Sequence, residues 1–521
     1  MGSPTHSPVE IPLANLDGPP GSKKGVATST VICLPAGAES VSTLQTHDIE
    51  LAQPASCTAP ANLPPVDGGR QAWLFLVGCF FFEALIWGLS HPFPISYSEG
   101  IVLTCIPFAG FPFSFGVFEA YYSTHLPWSD SPSGIAIIGT CATGTMYLFA
   151  PVSLHFLEAY PSFRRLTSVF GLVLSLSALV ASSFVTQVWK LILTQGILYA
   201  IGGSLLYAPT NIYLSEWFVK KQGLAIGVMW SGVGFAGFVF PYLLSFLLRR
   251  YGVAKTLRIW ALVLFVAATP LIYFIRPRLP IAAHRRRERV DHGFLCTRTF
   301  WVLQVANVAE GLGFFMPAIY LPLHARSLGV QIHGSASLAG AILLSLINSL
   351  SSISAPLFGY LCDRWSVYAV MLLSSLGSTL AVMLLWYLAP LSPLPLLLCF
   401  AAAYGVFAGG WSAIWSGMIG EVQRVHPRAR LGSLMGLLSA GRGVGAVCSG
   451  PISARLLLAG HGGPAAAAGF AGPYANVVLF TAVTAVLGAV PLVLLWWRGD
   501  DGIRRVEEGE GEGEGGREGE E

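Results

Sequence analysis

Three ionisable side chains stand inside long apolar stretches: Glu83 in FFFEALIWG, Glu310 in ANVAEGLGFF and Arg442 in SAGRGVG. A charge at the centre of a membrane-spanning helix costs about 2.5–3.5 kcal/mol on insertion scales, so such a group is kept for a function or for a partner. A carboxyl among apolar side chains can take up and release a proton, because burial disfavours its charged form. An arginine can offer two parallel N–H groups to a carboxylate ligand, or it can pair with a glutamate as a structural bridge between halves of the chain. Asn307, Asn348, Asn211 and Gln195 bring hydrogen-bonding groups into the same surroundings, each able to serve a ligand or a neighbouring helix.

Enzyme chemistry finds no comparable support. His125 and Asp130 form an HxxxxD string, a base with its orienting acid, but they sit in the short loop HLPWSD with no soluble domain behind it. Gly441–Gly445 (GRGVG) has the look of a dinucleotide loop and lacks the strand that must precede one. The nine cysteines are scattered without a CxxC pair. Most lie in apolar runs, where cysteine behaves as a small hydrophobe, so no disulfide framework, metal site or cofactor is expected. The net charge of +3 carries no nucleic-acid footprint.

The elements that hold these groups follow from composition. The chain is 54% hydrophobic and 11% charged, with a mean hydropathy of +0.63, against about 25% charged residues in a soluble domain. Apolar runs of roughly 20 residues recur, each long enough to cross a ~30 Å hydrocarbon core as a helix. Lipid cannot satisfy backbone groups, so such runs are helices rather than open sheet. The reading is an all-α membrane protein of about twelve transmembrane helices in two six-helix bundles. Spans are expected near 72–88 with 111–122, then 133–157, 165–187, 190–214, 224–247, 259–275, 300–323, 336–361, 367–389, 394–418, 432–457 and 474–497. The domain reading is a disordered tail 1–66, a first bundle 67–275, a basic linker 276–298, a second bundle 299–498 and an acidic tail 499–521. With both termini cytoplasmic, the inner loops and tails hold 22 Lys/Arg residues and the outer loops seven, as the excess of basic residues on the cytoplasmic side requires.

An internal repeat supports the two halves. GLAIGVMWSGVG (Gly223, Gly227, Gly232, Gly234) and GSLMGLLSAGRG (Gly432, Gly436, Gly441, Gly443) place glycines at the same offsets, each following a basic loop and a glutamate, Glu216 or Glu421. Parallel repeats of this kind are related about the membrane normal.

PVDGGRQAW, FSFGVFEAYY and YLSEWFVKKQGLAIG resemble the monocarboxylate-transporter-like branch of the major facilitator superfamily, in its fungal form. GYLCDRW, with Gly359, Asp363 and Arg364, is similar to that superfamily's cytoplasmic loop motif. The likeness covers roughly 64–498. It implies a secondary active transporter, a symporter, that carries a small solute across the plasma or vacuolar membrane by rocking two bundles about a central site. Small carboxylates moving with protons are the solutes it implies, with membrane lipid as the surrounding partner. Spans one and seven line the cavity in that superfamily, so Glu83 and Glu310 are expected to face it, Glu310 carrying the proton, and Arg442 in span eleven is expected to point toward the same cavity. A non-transporting nutrient sensor on the same fold is the alternative. Asp363 and Arg364 are read as a cytoplasmic gate. In the first half YPSFRR keeps Arg164 and Arg165 with no preceding Asp, so the paired latch is read as half present.

Two departures from the branch stand out. Family members run from a WG pair into FPFSFGVF, whereas here 22 residues, 89–110, separate Gly88 from Phe111. With Pro92, Pro94 and Pro107 they break the first helix; a retained intron, which would inactivate the carrier, is one reading, and a lineage-specific loop is the other. Span eight has Asn348, serines and Ala355 where many monocarboxylate carriers hold a charge, which weakens the carboxylate reading.

Overall fold

The computed structural model describes residues 64–87, 118, 121–122, 132–279, 291–334, 336–462 and 472–491. Every regular element among them is helical. The first half comprises α1 (Arg70–Trp87), α2 (Pro132–Ala159), α3 (Arg164–Ser182) and α4 (Val188–Trp217), followed by a continuous helical run Gln222–Phe274. Gly252 breaks that run into α5 (222–251) and α6 (253–274), because its φ of 71° and ψ of 172° leave the helical region; only glycine takes such a conformation at no steric cost. The second half holds α7 (Arg298–Ser327), α8 (Ala336–Arg364), α9 (Val367–Leu391), α10 (Pro393–Val425), α11 (Leu431–Gly462) and α12 (Ala475–Leu487). Among the described residues, ten helical segments are long and apolar enough to cross a membrane, and the shorter apolar pieces Gln222–Phe238 and Ala475–Leu487 stand beside them.

Local sequence sets several boundaries. Ser366, extended at ψ 138°, starts α9 by accepting from the Ala369 N–H, and Pro393 opens α10 where a missing N–H costs nothing. Most expected spans match these helices to within about five residues; α6 begins at the Gly252 break rather than near 259, α10 runs on to Val425 rather than ending near 418, and α12 ends at Leu487 rather than near 497. Of the expected segment 111–122, Phe118, Tyr121 and Tyr122 are described; Phe118 and Tyr122 are buried, and Tyr122 accepts from Gln195 Nε2 at 2.9 Å. Residues 89–110, residues 1–63 of the first expected tail and the whole of the second lie outside the described residues, while Pro64 of the first tail accepts from Arg278 Nε at 2.9 Å.

The halves meet along two seams. α8 packs along α5, and α11 along α2; within each half α1 lies against α5 and α7 against α11. One apolar cluster runs through the first half and into α7, α8, α9, α10 and α11, while a second fills the far end of the second half. The basic loops share one end of the molecule. There Arg164 pairs with Glu216 (3.1 Å), the Glu216 carboxylate accepts from the Arg278 N–H (3.1 Å), and Asp291 bonds His426 (3.0 Å).

Candidate functional site

The repeated glycines make the seams. Gly223 lies against Gly359 and Asp363 of α8, and Gly432 against Glu158 of α2. One turn on, Gly227 meets Ala355 and Pro356, and Gly436 meets Ala150 and Pro151. Gly234 meets Asn348 and Ser352; Gly443 meets Tyr147 and Leu148. The middle glycine of each set turns inward to its own half: Gly232 touches Phe80 and Ala84 of α1, Gly441 touches Gln304 and Asn307 of α7. A side chain at most of these positions would collide with backbone, which is why small residues serve where helices approach closely. Asp363 and Glu158 differ by the same 205 positions as Pro356 and Pro151, so the two seams are built in one register.

At the basic end each seam closes on a carboxylate. Asp363 accepts from the N–H groups of Gly223 (2.7 Å) and Leu224 (2.8 Å), at the start of α5. Glu158 accepts from those of Gly432 (2.7 Å) and Ser433 (3.1 Å), and from the Ser433 hydroxyl (2.5 Å), at the start of α11. A helix N-terminus carries unpaired donors and a partial positive charge, and an acid there satisfies both. The expectation of a half-present latch is therefore corrected. The first-half carboxylate is Glu158, six residues before Arg164, because the 3-10 turn Pro161–Phe163 separates the helix end from the arginines. Arg164 serves within its half, bonding Glu216 and the Leu157 carbonyl (3.3 Å), while Arg165 and Arg364 are exposed, the latter over the Tyr360 ring at 4.9 Å.

A second clamp on this face is internal to the first half. The Asp67 carboxylate accepts from the N–H groups of Val219, Lys220 and Lys221 at 2.8–3.0 Å. Burial alone would raise that acid, but the three backbone donors together hold it below the ordinary carboxylate range. Asp291 is likewise held low, by the Gly293 N–H and by His426.

Midway along the helices the two acids are treated differently. Glu83 stands three residues after Phe80, and Glu310 three residues after Asn307, the residues that touch Gly232 and Gly441. Glu310 pairs with Arg442 at 2.8 Å, both side chains under 10% exposed. The Arg442 guanidinium also lies 4.0 Å from the centre of the Phe314 ring. In the first half the residue after Gly232 is Val233, so the position of Arg442 is apolar there. Glu83 is fully buried and neither carboxyl oxygen has a hydrogen-bond partner. The Thr210 hydroxyl, a neighbour of Glu83, gives its proton to the Tyr207 carbonyl instead (2.6 Å). The Arg442 pair joins α7 to α11 within one half, so the expected bridge between halves is not what this arginine makes.

The remaining polar candidates divide in the same way. Asn307 is engaged at both ends: its oxygen accepts from Trp411 Nε1 (3.1 Å) and Trp415 Nε1 (2.9 Å), and its amide donates to the Leu438 carbonyl (2.8 Å). The oxygen of buried Asn211 has no partner, and Asn348 is buried in the α5–α8 seam. Sequence reasoning missed the rings that occupy the centre. Trp87 lies 5.5 Å from Tyr207, 4.5 Å from Tyr147 and 5.7 Å from Trp230 between centroids, and Trp230 meets Trp415 of the other half edge-on at 5.5 Å. Tyr147 lies within the fields of both Glu83 and Arg442. Nothing in an apolar run marks one tryptophan as central rather than lipid-facing. Glycine register could have done so, since Tyr147 faces Gly443 and Trp87 follows Glu83 by one turn.

Known proteins resemble the chain in both sequence and fold. The family described as Major Facilitator Superfamily matches residues 101–422. The MFS-type transporter pynF of Aspergillus niger is 27% identical over 402 residues, covering 77% of this chain and 84% of that one. The aspyridones efflux protein apdF of Emericella nidulans is 27% identical over 404 residues, covering 77% and 74%. Among solved structures, a bacterial homologue of the iron transporter ferroportin in its outward-facing state aligns with a TM-score of 0.55 at 14% identity, over 82% of this chain and 99% of the other. The nucleoside transporter NupG aligns at 0.52 and 14%, over 80% and 98%; at such identities the likeness shows the fold alone. With the family match spanning more than half of the sequence, this chain is a multi-pass integral membrane transporter belonging to the Major Facilitator Superfamily.

Proposed function

We propose that the protein is a proton-linked secondary carrier of a small organic anion, with twelve spans, bundles 67–275 and 299–498 joined by 276–298, and the basic face toward the cytoplasm. The observation that carries this reading is the unequal treatment of two matching acids. Arg442, already held beside an acid that a ligand carboxylate could replace, is the anion site. Glu83, buried without a partner, is the proton site, in place of Glu310. An ionised carboxylate left unpaired in the interior is costlier than almost any other buried group, whereas the neutral acid is tolerated. Asp363 and Glu158 hold the basic ends of the halves together in the state seen here, and the release of both opens the site to that side. The names of two relatives, the aspyridones efflux protein and the agnestins efflux protein of Paecilomyces divaricatus, support export as the direction of net transport.

The test is labelled-anion flux in proteoliposomes holding the full chain, across pH 5–8, with Glu83→Gln and Glu310→Gln. Glu83→Gln should give flux that no longer varies with pH. Glu310→Gln should keep the pH dependence and change the apparent affinity for the anion. PH dependence that survives Glu83→Gln and vanishes in Glu310→Gln would return the proton to Glu310.

A further inference from the structure

The rings at the centre are joined across the line along which the halves must part. Trp230 on α5 and Trp415 on α10 meet edge-on, and Tyr147 on α2 lies against Gly443, next to Arg442 on α11. Rocking the halves apart removes the Trp230–Trp415 contact and exposes large ring surfaces from both. Edge-to-face pairs are worth about 0.5–1.5 kcal/mol beyond the area they bury, and a solute that restored them would recover that loss. The rings also carry unused polarity. Trp230 is 6% exposed, and its Nε1 is buried without a hydrogen-bond partner. Trp415 has its own N–H fixed by Asn307, which holds the ring in place on the second half. Tyr147 and Trp230 lie nearly parallel, 16° between planes with centroids 6.5 Å apart, and Trp87 stands at the corner between them. On this lining a small aliphatic acid would leave most of the exposed ring surface uncovered.

Resting on the carrier reading above, we propose that the solute is a flat aromatic acid, its ring taken up among Trp87, Tyr147, Trp230 and Trp415 and its acidic group meeting Arg442. The Trp230 N–H then supplies a donor to a carbonyl or hydroxyl on the same molecule. The first half contributes the ring faces that move, and the second half contributes the fixed ring and the charge.

The probes are labelled 2-naphthoate and lactate, offered to proteoliposomes of the full chain. Uptake of naphthoate should exceed that of lactate by tenfold or more. Trp230→Phe, which keeps a ring, should retain most of that preference, and Trp230→Leu should bring the ratio close to one. Equal uptake of the two acids by the unmodified chain would overturn the aromatic assignment and leave the carrier reading standing; so would a ratio undiminished in Trp230→Leu. Uptake of neither acid would overturn both. If neutral 2-naphthylmethanol quenches tryptophan fluorescence at the same concentrations as naphthoate, the acidic half of the assignment is overturned and the aromatic half is upheld.

Discussion

Replacing Glu158 by Gln should open the molecule at a place Glu158 does not touch. Glu158 makes three bonds at the start of α11, at 2.5–3.1 Å. A hydrogen bond to a charged group contributes about 1.5–3 kcal/mol, and the helix terminus adds about 0.3–1 kcal/mol for a nearby negative charge. Glutamine keeps the shape and one acceptor, so the substitution loses the charge and one bond, about 2 kcal/mol in all. On the latch proposed above, these bonds exist only while the basic ends are together, so the whole loss falls on the balance between closed and open states, a shift of about 30-fold at 1.4 kcal/mol per factor of ten. The assay is amide hydrogen exchange at Gly223 and Leu224, whose N–H groups Asp363 holds on the other seam. If the halves rock as rigid bodies, exchange there should quicken by about the same 30-fold in Glu158→Gln. The reciprocal experiment reads Gly432 and Ser433 in Asp363→Asn. Exchange at Gly223 and Leu224 that stays unchanged in Glu158→Gln would mean that each cap opens locally, and the argument for a shared latch would fail.

Val233→Arg should give Glu83 the partner that Arg442 gives Glu310, and flux in that variant should lose its pH dependence between pH 5 and 8; persistence of the dependence would dismiss Glu83 as the proton site. Asp67→Asn should lower stability by about 1 kcal/mol, after allowing for partial exposure, read as a lower unfolding temperature in detergent. Because the folded Asp67 is held below its unfolded value near 3.9, its contribution is complete above that value and is lost as pH falls through the lower folded one. The unmodified clamp should therefore be constant from pH 5 to 8, and stability that changes across that window by way of Asp67 would contradict the geometry. Deleting 89–110 should preserve or raise surface expression and flux, since joining Gly88 to Phe111 would carry α1 on toward Phe118 over about nine residues, ~14 Å of helix rise. A deleted form that no longer reaches the membrane would make the insert a required part of the fold.

Much of the architecture was legible because lipid imposes one rule on every span, and apolar length reports it directly. The glycine offsets were also legible, and they mark the faces on which the halves meet. What they could not show is which helix each glycine receives, since that depends on partners about two hundred residues away. Glu158 was missed for a local reason, as the sequence pattern sought an acid directly before Arg164 and Arg165 and the Pro161–Phe163 turn displaces it. The acids at 83 and 310 could be named from the sequence, but not their different states. Val233, at the position in the first repeat that Arg442 holds in the second, leaves Glu83 without the partner that Glu310 has, and a valine in an apolar helix carries no signal until the two repeats are laid over one another.

Asn307 is held from both ends of its amide. Two indole donors occupy its oxygen and the Leu438 carbonyl takes its amide, so α7, α10 and α11 are pinned together at the depth of the site. The opposite wall has no such pin: Glu83, the Asn211 oxygen and the Trp230 N–H are all left wanting. On the reading proposed above, the molecule would be a motor with a stator and a rotor: the second half, pinned by its own bonds, would keep its shape through the cycle, and the first half, with its polar groups unspent, would be completed by the solute.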